Sequence, residues 1–348
     1  MKKALVSTLA ALLALSMTAC GGDTSTDTST STSTSTSTSD GGGSTNSEVK
    51  LTLASHLAPE ASQPLAMTQL ADEINNAGVG FSAATSFSAQ LGGQRELIEG
   101  VNLGTIEIAF GESGLYSNYY APFGAMVLPF QYENTEHFYN VMDGEVGQQL
   151  ADGLEANSNL KILCWYDGSP RDIYSSKELT GIESLKGLKI RTPESPVYVS
   201  TFEALGANPT PIAANEMYFS IQSDVVSAME GSSETAYTYK IQEVAKYCLE
   251  SGHIWTDGSL VINKALWASM SEEQQKVLQT AADNSETFQR ETATTKADEY
   301  KQMLADEGMQ FIECDKEAAK AMCESVYTDF IGGDSEIQAI VDAIAAAK

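Results

Sequence analysis

Strand-length stretches of period-two alternation, each followed by a helical stretch, constrain this chain most, because strand–helix–strand alternation builds an open α/β sheet. Val49-Lys-Leu-Thr-Leu53 alternates apolar and polar residues as a strand. Pro64 opens a helix that carries Leu65, Leu70 and Ile74 toward one face and ends near Gly78. A second strand is expected around Val79–Ala84, a helix from about Arg95 to Asn102, and a third strand over Ile106-Glu-Ile-Ala-Phe110. Ligands in such sheets sit beyond the carboxyl ends of the strands, which makes the Gly111-Glu112-Ser113-Gly114 turn a candidate site wall.

A strand over Leu160–Trp165 runs into the turn-forming cluster Asp167-Gly-Ser-Pro170, and there the alternation restarts. Leu188–Arg191 reads as a strand, Pro196–Leu205 as a helix closed by Gly206, and Asn215 as the cap of a helix turning Met217 and Ile221 inward. Val225-Val226 begins a buried strand, Asp257-Gly258 marks a turn, and Ser259–Asn263 reads as a strand returning to the first unit. Ser271-Glu-Glu-Gln274 fits a capping box. The helix it opens runs to about Glu307 with Gly308 as its stop, roughly 54 Å if unbroken, or else forms two helices meeting near Thr292–Thr295. The expected fold is therefore α/β in two domains with a hinge. The first covers 49–168 plus about 257–296, the second about 169–256 plus 297–348, as suits a chain of 348 residues.

The first residues specify a compartment. Lys2 and Lys3 precede an apolar run from Leu5 to Leu15, too short for the ~20 residues that span a bilayer. Met17-Thr-Ala-Cys20 with Gly21-Gly22 resembles a bacterial lipobox, so residues 1–20 read as a lipoprotein signal and Cys20 as the lipidated residue. Residues 21–48 are a Ser/Thr-rich tether that buries nothing and reaches roughly 30 Å. All 47 acidic residues lie beyond Cys20, and the net charge of −27 argues against nucleic acid. It also repels anions at long range, so any anion site must carry its own cations. Cys164, Cys248, Cys314 and Cys323 show no tight framework and no metal-ligand spacing; they either pair, with Cys314 and Cys323 nearest in sequence, or remain thiols. His56, His137 and His253 are scattered, and His253 is expected in a structural turn. No nucleophile elbow, phosphate loop or metal cluster points to an enzyme, and no metal or cofactor is expected.

Several passages, in order, carry a family likeness. They are Gln90-Leu-Gly92 with Arg95, Gly168-Ser-Pro-Arg171, Leu185-Lys-Gly-Leu-Lys-Ile-Arg191-Thr-Pro193 and Ala204-Leu-Gly-Ala-Asn-Pro-Thr-Pro211. Glu216-Met-Tyr218, Val225-Val226, Glu230, Lys246-Tyr247 and Gly252-His253 continue the series. Over roughly residues 49–310 the chain resembles the solute-binding proteins of tripartite ATP-independent periplasmic (TRAP) transporters. The resemblance implies a two-domain periplasmic-binding-protein-like fold, with a hinge, an interdomain ligand cleft and a long helix spanning both domains. It implies capture of a small organic acid outside the membrane and its delivery to TRAP permease subunits. The lipid anchor would hold the protein, expected as a monomer, on the outer face of the cytoplasmic membrane. A solute binder for an ATP-driven importer and a sensory ligand-binding lipoprotein are the rival readings.

The resemblance also points to ligand-binding residues. Arg191 matches the arginine that grips the ligand carboxylate, and its planar fork suits a bidentate pair. Arg171 matches a second arginine, either a ligand contact or a hinge salt bridge. Glu112 matches an acid that takes ligand hydroxyl or amino groups, or else is a solvated turn glutamate. Where the family often has asparagine this chain has Gly231, and Ala214 stands at a position sometimes aromatic. Either the cleft is wider, or Ser232 or Tyr237 substitutes, or the ligand differs. Trp165, Tyr166 and Trp255 lie near predicted crossings and read as core or as stacking surfaces.

Overall fold

The computed structural model describes residues 48–348. The expected signal 1–20, the expected lipidation site Cys20 and all of the expected tether but Glu48 lie outside the described residues. Nine strands form the sheet: β1 Val49–Ala54, β2 Phe81–Ser86, β3 Ile108–Glu112, β4 Leu160–Ser175, β5 Lys189–Thr192, β6 Asn208–Pro211, β7 Ala228–Gly231, β8 Tyr247–Asn263 and β9 Gln310–Glu313. Their order is β2-β1-β3-β8-β4-β7-β5-β6, with β9 also on β8. β1, β2 and β3 are mutually parallel and so are β5, β6 and β7, while β3 and β7 run antiparallel to β8 and β4. β4 and β8 cross in opposite directions between the two parallel groups. The carboxyl ends of β1 and β3 thereby face those of β5 and β7.

The two expected turns do not form. β4 continues through Gly168 and Pro170, and β8 through Gly258, because the two strands pair with each other from Leu160↔Asn263 to Ser175↔Tyr247, with three shifts of register on the way. The turn-forming residues become an irregularity instead. Asp167 pairs with Asp257 but Pro170 with Trp255, one extra residue on β4, which is a β-bulge. Gly258 is needed for close approach: a Cβ there would stand 2.5 Å from a Phe110 ring carbon and 3.0 Å from the Gly111 carbonyl oxygen.

One helix, Glu272–Asp306, covers 35 residues without a break, opened by the expected Ser271–Gln274 capping box. Near its start Leu278, Ala281 and Ala282 pack with Leu53, Leu70, Ile74 and Phe110; near its end Leu304 packs with Met217, Ile221, Met229 and Tyr174. It spans both halves. On the opposite face of the sheet a third core joins Leu97, Phe138, Ile190 and Phe202 to the C-terminal helices through Val326, Ile340 and Ile344. The helix over Met217–Gln222 buries Met217 and Ile221 as expected, but a 3-10 turn over Ala214–Glu216 leads into it, so Asn215 is not its cap. All four described cysteines are free thiols. No helix among the described residues is long and apolar enough to cross a membrane.

Candidate functional site

Strand ends assemble the site. Glu112 is the last residue of β3, Arg191 the penultimate residue of β5, Glu230 the penultimate residue of β7, and His56 lies two residues past β1. Arg171 and His253 come from the crossing strands β4 and β8. His56, Glu112, Arg171 and Arg191 line one small cavity together with Gln94 and Tyr239.

The two arginines differ in their commitments. Arg171 donates from Nε and Nη2 to the two carboxylate oxygens of Glu230, at 2.5 and 2.7 Å, and its Nη1 lies 3.7 Å from Glu112 Oε2. Its guanidinium also stands 5.2 Å from the Tyr198 ring centre. Burial opposes its charge, but Glu230, Tyr198 and Glu112 together raise its pKa well above the ordinary value. Burial likewise works against the Glu230 charge, yet Arg171 and His253 hold that carboxyl down at about 2. His253 is not in a turn: it lies buried on β8, Nε2 3.3 Å from Glu230 Oε2 and Nδ1 2.8 Å from Ser251 Oγ. Burial lowers its pKa.

Arg191 is held by one hydrogen bond, from Nε to the Ile212 carbonyl at 2.7 Å, which fixes the plane of the fork. Its Nη1 is 3.9 Å from Glu230, and its Nη edge makes no hydrogen bond among the described residues. The side chain is 5% exposed. Burial lowers its pKa, partly offset by Glu230, and a guanidinium keeps its charge regardless. His56 stacks on Phe110, and burial with the fields of Arg191 and Arg171 drives its pKa to about 3. It is a neutral imidazole whose Nδ1 has no hydrogen-bond partner among the described residues. Gln94 Nε2, on the same cavity, has none either. Buried polar atoms are normally paired, so this cavity offers a cationic fork and polar atoms awaiting a polar guest.

Residues 53–332 match the family model described as bacterial extracellular solute-binding protein, family 7 (DctP). The chain belongs to this family. A solute-binding protein of Roseobacter denitrificans is 28% identical over 292 residues, 83% of this chain and 89% of its own. A TRAP periplasmic solute-binding protein of Xanthobacter autotrophicus Py2, solved with β-D-galacturonate, superposes with a TM-score of 0.82 at 26% identity, covering 86% of this chain and all of the other. One from Polaromonas sp. JS666, bound to D-erythronate, gives 0.82 at 27% identity over 86% and 99% of the chains. This chain is thus a TRAP-type solute-binding protein with the family's two-domain fold and interdomain cleft, and family 7 members are transport components, not enzymes.

Of the residues singled out from the sequence, the structure brings Arg191, Arg171 and Glu112 into one cavity. Ser232 caps the helix Ser233–Thr238, accepting from Thr235 N at 3.1 Å, and lines an adjoining chamber. Gly231 leaves no void: a Cβ there would lie 3.0 Å from Met229 Cε and 3.3 Å from Thr235 Cγ2. Tyr237 packs on Tyr300 and lines neither chamber; Tyr239 does, its hydroxyl donating to the His56 carbonyl at 3.2 Å. Trp165, Tyr166 and Trp255 belong to the packed interior. Glu230 as the partner of Arg171, and His56 and Gln94 as cavity walls, escaped sequence reading. His56 was findable, since it follows a strand end just as Glu112 and Arg191 occupy theirs.

Proposed function

We propose that this family 7 protein captures a small hydroxylated carboxylic acid in the cleft, with Arg191 as the carboxylate clamp, and passes it to a TRAP permease. One observation carries the reading: a buried guanidinium, oriented by the Ile212 carbonyl, presents an Nη edge without a hydrogen bond to a cavity that also holds His56 Nδ1. Arg171 cannot take the same role with both edges, because Glu230 already fills its Nε–Nη2 fork. Glu112 would accept from ligand hydroxyls. The acids bound by the Xanthobacter and Polaromonas proteins are hydroxylated carboxylates of this kind. Lipidation at Cys20 would keep the protein at the outer face of the cytoplasmic membrane, and Cys20→Ala should abolish lipid labelling. The domains would be 49–168 plus about 257–296 and about 169–256 plus 297–348, with the last helix, Ser335–Ala346, reaching across to His137 through the Ile344 carbonyl.

The test is calorimetry with D-galacturonate and D-erythronate. Arg191→Ala should weaken binding roughly 30-fold to several-thousand-fold, as expected for stripping a buried charge of its partner. Arg191→Lys should recover only part, since a point charge lacks the bidentate geometry. Binding by Arg191→Ala within about threefold of the parent would contradict the clamp.

A further inference from the structure

A second chamber adjoins the Arg191 cavity. Leu57, Glu112 and Thr235 line both, and the second chamber reaches the long helix at Ala293, Lys296 and Tyr300. Gln63 forms part of its wall. That residue is 5% exposed, and its Oε1 has no hydrogen-bond partner. Ser232 and Thr238 add hydroxyls, and Lys296 directs its ammonium to the Glu60 carbonyl at 3.2 Å. Two carboxyls flank the chamber, Glu112 and Glu234. Glu234 is already engaged by Ser62 N at 2.9 Å and Ser62 Oγ at 3.0 Å.

We infer that this second chamber is a subsite for the hydroxylated tail of a monocarboxylic acid, read by Gln63, and that it rejects a second carboxylate. The inference rests on the clamp reading for Arg191 and extends it to the other end of the ligand. An orphaned amide oxygen in a buried wall accepts from a ligand hydroxyl and cannot donate to an anion. The carboxyls of Glu112 and Glu234 outnumber the Lys296 ammonium on the walls and repel a second negative charge, and the two buried arginines stand at the other cavity. A polyol tail, donating and accepting, fits what the walls lack.

The experiment measures binding of glycerate, D-erythronate, D-gluconate and the dicarboxylate D-glucarate to the mature chain by calorimetry, with competition for weak binders. Affinity should climb from glycerate to gluconate, and glucarate should bind at least about tenfold more weakly than gluconate. In Gln63→Leu the gluconate-to-glycerate affinity ratio should shrink about tenfold, the effect of leaving a hydroxyl unpaired. Glucarate binding as tightly as gluconate overturns the subsite, and this arm needs no variant. So does a ratio in a folded Gln63→Leu within about twofold of the parent. If none of the four acids binds the parent, the carboxylate clamp itself falls and the subsite with it, a result distinct from tight binding without discrimination among tails.

Discussion

Arg171 and Glu230 form a buried bidentate pair, 59 residues apart in sequence, joined through Nε–Oε2 at 2.5 Å and Nη2–Oε1 at 2.7 Å. The pair cancels one of the two cationic charges beneath the cleft and ties β4 to β7, where Ile173 stands opposite Glu230. Removing one partner strands the other. Glu230→Gln should cost about 3–5 kcal/mol of stability, because it leaves a buried guanidinium without its counter-charge. The depressed Glu230 pKa adds a pH signature: its stabilisation is complete above the ordinary carboxyl value of 4.5 and is lost as pH falls toward about 2. Acid titration of the melting temperature should show a loss over that window in the parent that Glu230→Gln lacks.

That pair also shows where sequence reading stopped. Arg191 and Glu112 were legible because position relative to a strand end is a local property, and β5 and β3 end where the alternation says they do, within two residues. The engagement of Arg171 was not legible, since choosing Glu230 from 47 acids requires the β4–β7 register. Gly168 and Gly258 misled for a related reason. Turn propensity is a local preference of well under the free energy of a ladder, and the β4–β8 pairing overrides it at both glycines. The unbroken long helix prevailed over the Thr292–Thr295 run because Gln289 and Tyr300 are buried on either side of the threonines and Ala293 among them.

His56 should contribute to affinity as a neutral group. With its pKa near 3 it carries no proton at physiological pH, and the proton it takes up when unfolded makes stability fall as pH drops from 6.5 toward 3. His56→Phe preserves a ring against Phe110 but deletes Nδ1, and should weaken binding of the cognate acid by about tenfold. Calorimetry between about pH 5.5 and 8 should show no inflection that His56→Phe abolishes. An affinity that climbs in the parent below pH 6.5, and does not in the variant, would mean the imidazole protonates in the bound state.

Glu234 should bias the ligand-free protein toward closure. The helix Ser62–Asn76 has Ala61 at its N-cap, with no side-chain bond, and the Glu234 carboxylate fills that role from the short helix Ser233–Thr238 across the cleft. Caps and N-terminal carboxylates contribute about 1 kcal/mol. Glu234→Ala should therefore shift the closed-to-open ratio by about fivefold, visible as a larger radius of gyration without ligand by small-angle scattering. An identical radius in both proteins, ligand-free and saturated, would assign Glu234 to local helix stability alone.

Asp257 should make the protein less stable as pH rises. It is 1% exposed on β8 at the crossing, and neither carboxylate oxygen has a hydrogen-bond partner among the described residues. Burial is the main cause that lifts its pKa to about 7, with the Glu112 carboxylate adding to the lift and Arg171 pulling the other way. The rings of Tyr116, Tyr132 and Tyr198 share its field. A raised carboxyl reverses the usual sign. Below 3.8 both folded and unfolded chains hold the proton; between 3.8 and about 7 only the folded chain does, so unfolding releases a proton and stability declines with pH. Above about 7 the decline levels off. Asp257→Asn keeps the shape and cannot ionise, so it should melt higher than the parent at pH 8, with the gap closing as pH approaches 4. A gap of constant size across that range would show that Asp257 is ionised in the folded protein throughout, and that its charge is compensated within the crossing.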